Sequence, residues 1–262
     1  MRILICDDAA RAVAAAAAEI VGCVRSNPSA VLGLATGGTM EPLYAAVVAE
    51  YRQGQISFAS VTTFNLDEYV GLQPEHPASY RQFMQHHLFD CVDIDPRRTH
   101  LPSGCGNLEA ECRRYEAAIS TFGGIDLQLL GIGTDGHIGF NEPGSSLGSR
   151  TRVKTLARQT RLDNARFFAS PDAVPPTAVT MGVATILDSR AILLLATGRG
   201  KANAVAAAVE GPVTAAITAS ALQLHPRVTV VLDKDAASAL RHAHDYQAAE
   251  KQRQIIEDAP RS

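Results

Sequence analysis

The residues best suited to do chemistry lie in one glycine-rich stretch, Gly131-Ile-Gly133-Thr-Asp135-Gly136-His137-Ile-Gly139-Phe-Asn141-Glu142-Pro143, which directly follows the apolar run Leu127–Leu130. An imidazole between two carboxylates can have its tautomer fixed by one and its orientation by the other, which suits proton transfer near neutral pH. Asp135, His137 and Glu142 are therefore read as a catalytic group. The same three could ligate a metal, but the helical H-E-x-x-H spacing is absent and no cysteine is near, so no metal is expected. Gly131, Gly133 and Gly136 also spell G-x-G-x-x-G, yet the segment meets Pro143 instead of opening a helix, and residues 151–160 hold no acid for a ribose. Gly144-Ser-Ser146-Leu-Gly148 matches G-x-S-x-G without a preceding strand, so the strained elbow of a serine hydrolase is missing.

Two further segments also follow apolar runs. Ala35-Thr36-Gly37-Gly38-Thr39 comes after Ala30–Leu34 and before a helical pattern. It reads as an anion cradle built from backbone N–H groups, Thr36 and Thr39, and equally as a tight glycine turn capped by Thr39. It lacks the G-x-x-x-x-G-K-[ST] pattern of triphosphate chemistry. Asn65-Leu66-Asp67-Glu68-Tyr69 follows Val61–Phe64; one of its carboxylates could be a general base, or the segment could be a turn and helix cap.

The elements needed to position these segments are short buried strands alternating with helices. Ile3–Cys6, Ala30–Leu34, Val61–Phe64, Leu127–Leu130, Ile192–Ala196 and Val228–Leu232 read as strands of a mostly parallel sheet. Helices are predicted at Asp8–Arg25, Glu41–Arg52 with Thr39 as N-cap and Pro42 in its first turn, Ser79–Phe89, Asn107–Phe122 and Lys201–Val209. No repeat or linker divides the chain, and 143–149 is a loop by composition. The expectation is one α/β domain over residues 1–262, an open doubly wound, Rossmann-like sheet with helices on both faces, ending in a polar helix and tail from about Arg241. In such a sheet, ligands sit beyond the carboxyl ends of the strands, where all three segments fall.

Composition narrows the function. The 24 basic and 27 acidic residues give a net charge of -3, so an anion needs a dedicated pocket and nucleic acid is not expected as a partner. Aromatics are 5% with no tryptophan, which argues against a stacking platform. The five cysteines form no C-x-x-C pair and point to a reducing, cytoplasmic compartment. Asp7 and Asp8 close to Arg2, and an Ala-rich run held between Arg11 and Glu19, fit neither a signal peptide nor a membrane span.

Together, Leu34–Thr39, Phe64–Tyr69, Gly133–Pro143, Ser149-Arg-Thr-Arg-Val-Lys154 and Leu222-Gln-Leu-His-Pro226 resemble the glucosamine-6-phosphate deaminases, in order, over roughly residues 30–232. The Asn-Glu-Pro ending separates the likeness from the related 6-phosphogluconolactonases. The resemblance implies conversion of glucosamine 6-phosphate to fructose 6-phosphate and ammonia without a cofactor. Asp67 would move a proton from C2 to C1, and His137, held by Asp135 and Glu142, would assist ring opening at O5. The phosphate would rest on Thr36, Gly37, Gly38 and Thr39, joined by Arg166 and Lys201. It further implies a second site for N-acetylglucosamine 6-phosphate at Ser145, Ser146, Arg152 and Lys154, with Tyr246 near the position of a closing tyrosine, and a homo-oligomer, a hexamer included. Ala35 departs from the family, which often has proline there. The rival readings are a sugar-phosphate lactonase and a non-catalytic sensor, the latter expected to carry an output domain for which this chain leaves no room.

Overall fold

In the computed structural model, which describes residues 1–258, the strands are β1 (Arg2–Cys6), β2 (Val31–Leu34), β3 (Thr62–Asn65), β4 (Asp67–Tyr69), β5 (Thr99–His100), β6 (Leu127–Leu130), β7 (Arg152–Thr155), β8 (Thr177–Thr180), β9 (Ile192–Ala196) and β10 (Val228–Asp233). The helices are α1 (Ala9–Ser26), α2 (Met40–Arg52), α3 (Tyr80–His87), α4 (Leu108–Thr121), α5 (Arg158–Asn164), α6 (Val183–Leu187), α7 (Ala202–Glu210) and α8 (Ala243–Asp258). The predicted tail beyond Asp258 lies outside the described residues, while the stretch from Arg241 forms α8, whose Glu250 binds Arg2 at 2.7 Å.

Seven strands form a parallel sheet in the order β1-β10-β9-β6-β2-β3-β5. Strands β2, β6 and β9 are buried along their whole length, which explains why they read as continuous apolar runs without alternation. From β2 the chain builds outward through β3 and β5; from β6 it builds the other way through β9 and β10. The order reverses between β2 and β6, so the loops after these two neighbours diverge and open a crevice at the carboxyl ends of the strands. Those loops are Ala35–Thr39 and Gly131–Pro143.

Side chains at the starts of three helices explain their boundaries: Asp8 accepts from Arg11 N (2.8 Å), Ser79 from Gln82 N (3.1 Å) and Asn107 from Ala110 N (3.0 Å). Thr39 is not such a cap. It already has helical dihedrals and makes no capping bond. The turn begins instead at Gly37, with φ +106, whose carbonyl accepts from Met40 N at 2.8 Å. The Thr39 hydroxyl is thereby left for the crevice.

A second, three-stranded sheet, β4-β8-β7, is antiparallel and was not foreseen. Leu66 is the corner between the two sheets: its N–H donates to Leu34 O at 3.0 Å in the large sheet, and its carbonyl accepts from Met181 N at 2.7 Å in the small one. Asp67 is the next residue. The turn-or-cap reading of that segment gives way to a strand in which Asp67 pairs with Thr180, itself paired with Arg152.

Candidate active site

A cleft of about 930 Å³ opens at the reversal point and is lined, among others, by Thr36, Gly37, Gly38, Thr39, Asp67, Tyr80, His137, Arg166 and Lys201. Three predicted segments and two separate cations thus meet in one space.

The anion cradle is built at the end of β2. Tyr44, one turn into α2, donates its hydroxyl to Ala35 O at 2.6 Å and pins the loop from beneath. A Cβ on Gly38 would come within 2.9 Å of Arg166 Nη2, so the guanidinium lies directly over the bare backbone there. Arg166 is carried by a short helical turn after α5, its guanidinium over the Phe167 ring at 4.7 Å. Lys201 ends the turn that leads into α7. Burial and the nearby Arg166 push its ammonium downward, against the pull of Asp163 and Asp135. The negative charge of a bound dianion would oppose this downward shift. The turn carrying Lys201 is fixed by Asp233, whose two oxygens accept from Gly198 N at 3.0 and 2.9 Å.

The histidine is held from behind. His137 Nδ1 lies 2.7 Å from Asp135 Oδ1 and 3.8 Å from Glu142 Oε2. Neither Nδ1 nor Glu142 Oε2 has an aligned hydrogen-bond partner. Glu142 is itself anchored by Ala157 N at 3.0 Å, which ties the relay to the start of α5. Burial raises the Asp135 carboxyl, but the imidazole beside it and the His137 backbone N–H outweigh it and hold it below the usual carboxylate range. Of the three, only His137 lines the cleft. With Nδ1 facing the carboxylates, Nε2 is the nitrogen left to meet a ligand. The ring rests against Gly133, where any Cβ would collide with it. Ligand atoms of the three side chains fall within 4.8 Å of one another, a spacing that could also hold a cation.

Asp67 faces the same space from the other side. It is 5% exposed, and its pKa is pushed up to about 8 by burial and by the neighbouring Glu68, against the Phe140 backbone N–H. Gly139, with φ +54, lets the loop backbone close on it: a Cβ there would stand 3.3 Å from Asp67 Oδ2 and 3.2 Å from Thr180 Oγ1. Tyr80 completes this wall, its hydroxyl donating to Tyr69 Oη at 3.3 Å. Nothing in the sequence marked Tyr80 or Thr180, because their residue types are equally common in ordinary cores and turns.

Ser145, Ser146, Arg152 and Lys154 do not line the cleft; they occupy the 143–149 loop and β7, on the small sheet. Arg152 Nη1 donates to Asn141 Oδ1 at 2.9 Å, while its Nη2 and the buried Ser145 Oγ lack partners. Tyr246 sits on α8, its ring beside that of His242.

The family model for glucosamine-6-phosphate isomerases and 6-phosphogluconolactonases matches residues 6–231. A glucosamine-6-phosphate deaminase of Hahella chejuensis is 53% identical over 240 residues, 92% of each chain, and one of Cellvibrio japonicus is 50% identical over 259 residues, 98% of each. The chain belongs to this family. Among solved structures, one described as a monomeric glucosamine-6-phosphate deaminase superposes with a TM-score of 0.89 at 48% identity, covering 91% of this chain and 100% of that one. A 6-phosphogluconolactonase from Trypanosoma cruzi, at 22% identity and a TM-score of 0.72 over 92% of this chain and 97% of that one, shares the fold of the family. The α/β architecture is that of the family, and its deaminase members are nearer in sequence than the lactonase.

Proposed function

We propose that the protein converts glucosamine 6-phosphate and water to fructose 6-phosphate and ammonia. The observation that carries this is a buried carboxylate, Asp67, opposite an imidazole, His137, in one cleft with a cation-flanked anion cradle. The phosphate binds the Thr36–Thr39 backbone and hydroxyls with Arg166 and Lys201. His137, oriented by Asp135 and Glu142, moves a proton at O5 as the ring opens and exposes an aldehyde at C1. O1 takes a proton from the substrate's ammonium group while Asp67, in its ionised form, takes the C2 proton, whose bonding electrons form the C1–C2 double bond of an enol bearing the amine. Return of that proton to C1 gives a C1 alcohol and an imine at C2. Water adds to C2, the amine leaves as ammonia, and the ketone remains. A base whose pKa stands near 8 is strong enough to take a carbon-bound proton.

The test is to incubate the protein with glucosamine 6-phosphate and follow both products. Ammonia and fructose 6-phosphate in equal amounts are expected; hydrolysis of 6-phosphogluconolactone with neither product would overturn the assignment. N-acetylglucosamine 6-phosphate at Ser145, Ser146, Arg152 and Lys154 is the activator this reading includes, supported by the partnerless Arg152 Nη2 and Ser145 Oγ. A homo-oligomer, a hexamer included, belongs to the same reading, whereas the solved relative is described as monomeric; the mass in solution decides. All five cysteines are free and no helix among the described residues is long and apolar enough to cross a membrane, which supports a cytoplasmic enzyme.

A further inference from the structure

Glu68 is a buried carboxylate to which the reaction assigns no step. It is 5% exposed, adjoins Asp67 on β4, and accepts three backbone N–H bonds. Oε1 accepts from Tyr69 N at 2.9 Å and Tyr80 N at 3.0 Å; Oε2 accepts from Arg81 N at 3.0 Å. Tyr80 and Arg81 are the first two residues of α3, so the carboxylate occupies that helix's N-terminus, where the N–H bonds and the helix dipole support its charge against the burial that raises its pKa. Successive side chains on a strand point to opposite faces. Asp67 therefore faces the cleft while Glu68 reaches behind the strand to hold the helix whose first residue, Tyr80, walls that cleft.

We propose that Glu68 is a positioning residue with two separable effects: its hydrogen bonds place Tyr80, and its negative charge sets the pH range in which Asp67 accepts the C2 proton. This rests on the reading of Asp67 as the base. The charge works through a water-excluded strand, where a like charge opposes ionisation far more than in solvent. The groups around Asp67 leave Glu68 as the charge that matters most. From α3 come Tyr80 and the guanidinium of Arg81, from α4 Tyr115, and from β4 itself Tyr69; burial holds all three phenols far above neutrality, so they stay uncharged. From β8 comes the neutral Thr180, and from the glycine loop the Phe140 N–H and the cleft-lining His137. Across the cleft stand Lys201 and Arg166. Arg81, half-buried and bonded to Thr99 Oγ1 at 3.1 Å, partly offsets Glu68.

The experiment measures exchange of the C2 proton of glucosamine 6-phosphate with solvent against pH, as kcat/KM, for the parent and three variants. Glu68→Gln keeps the Oε1 acceptor and loses the charge, so the limb that rises with Asp67 ionisation should move to lower pH by about one unit. Glu68→Asp keeps the charge but cannot reach α3, so the rate should drop at every pH with the limb in place. Arg81→Gln leaves Glu68 uncompensated and should move the limb to higher pH. If Glu68→Gln does not fold, the opposite shift in Arg81→Gln still tests the charge. A uniform rate loss in Glu68→Gln, or an unmoved limb in Arg81→Gln, would refute the electrostatic role. An unshifted limb in Glu68→Asp with undiminished rate would refute the positioning role. Asp67→Asn separates this idea from its premise: if that variant still exchanges the C2 proton, the assignment of the base has failed instead.

Discussion

Replacing Asp67 by asparagine should make the folded protein more stable in alkali while removing its chemistry. The carboxyl titrates at about 8 in the folded chain against an ordinary value of 3.8. Between those values the native state keeps a proton that the unfolded state has released, so stability falls as pH rises through that window, and above about 8 the full penalty is in force. A gap of about four tenfold steps, at about 1.4 kcal/mol each, sets a ceiling of several kcal/mol. Solvent relaxation around the ion brings the expected gain for Asp67→Asn at pH 9 to about 2–4 kcal/mol, and to little near pH 4. For a chain of this size each kcal/mol raises Tm by about 2–4 °C. Urea unfolding of parent and variant at pH 4.5 and pH 9, with C2 proton exchange measured alongside, tests both halves. A stability difference that does not grow with pH would refute the placement of a buried, reluctantly ionised acid. Full exchange activity in the variant would refute its role.

Gly133→Ala should displace the His137 ring that rests on it and lower kcat by about 100-fold with binding largely kept, as measured by steady-state kinetics. Arg166→Ala and Lys201→Ala should each weaken binding of glucosamine 6-phosphate by about 10- to 100-fold, read as KM and as competition by inorganic phosphate, with a smaller change in kcat. Arg152→Gln should abolish any response of the velocity curve to N-acetylglucosamine 6-phosphate while ammonia release continues, because Arg152 lies outside the cleft and bonds Asn141 instead.

The centre of the large sheet was legible because its strands are buried on both faces: Leu127–Leu130 and Ile192–Ala196 match their predicted spans, since a mostly apolar run has few other places to go. Helix starts at Asp8, Ser79 and Asn107 were legible for a local reason, a side chain bonding a nearby N–H group. The small sheet was not. Arg152–Thr155 and Asp67–Tyr69 carry charges within strands of three and four residues, and their pairing joins segments far apart in the chain. The catalytic loop stood out because its charged residues sit among glycines, whereas Tyr80 and Glu68 acquire meaning only once α3 is seen to begin against β4.

The corner at Leu66 gives the two sheets separate clocks on either side of Asp67. Its own amide is protected by Leu34 O in the large sheet, while the amide of Met181 is protected by the Leu66 carbonyl in the small one. Native-state deuterium uptake at Leu66 therefore times the opening of the parallel sheet, and uptake at Met181 times the release of β8 from the corner. If the Met181 amide exchanges faster, the scaffold beneath the base stays shut while the strand beside it loosens, and Asp67 rides on a boundary between a slow body and a fast one.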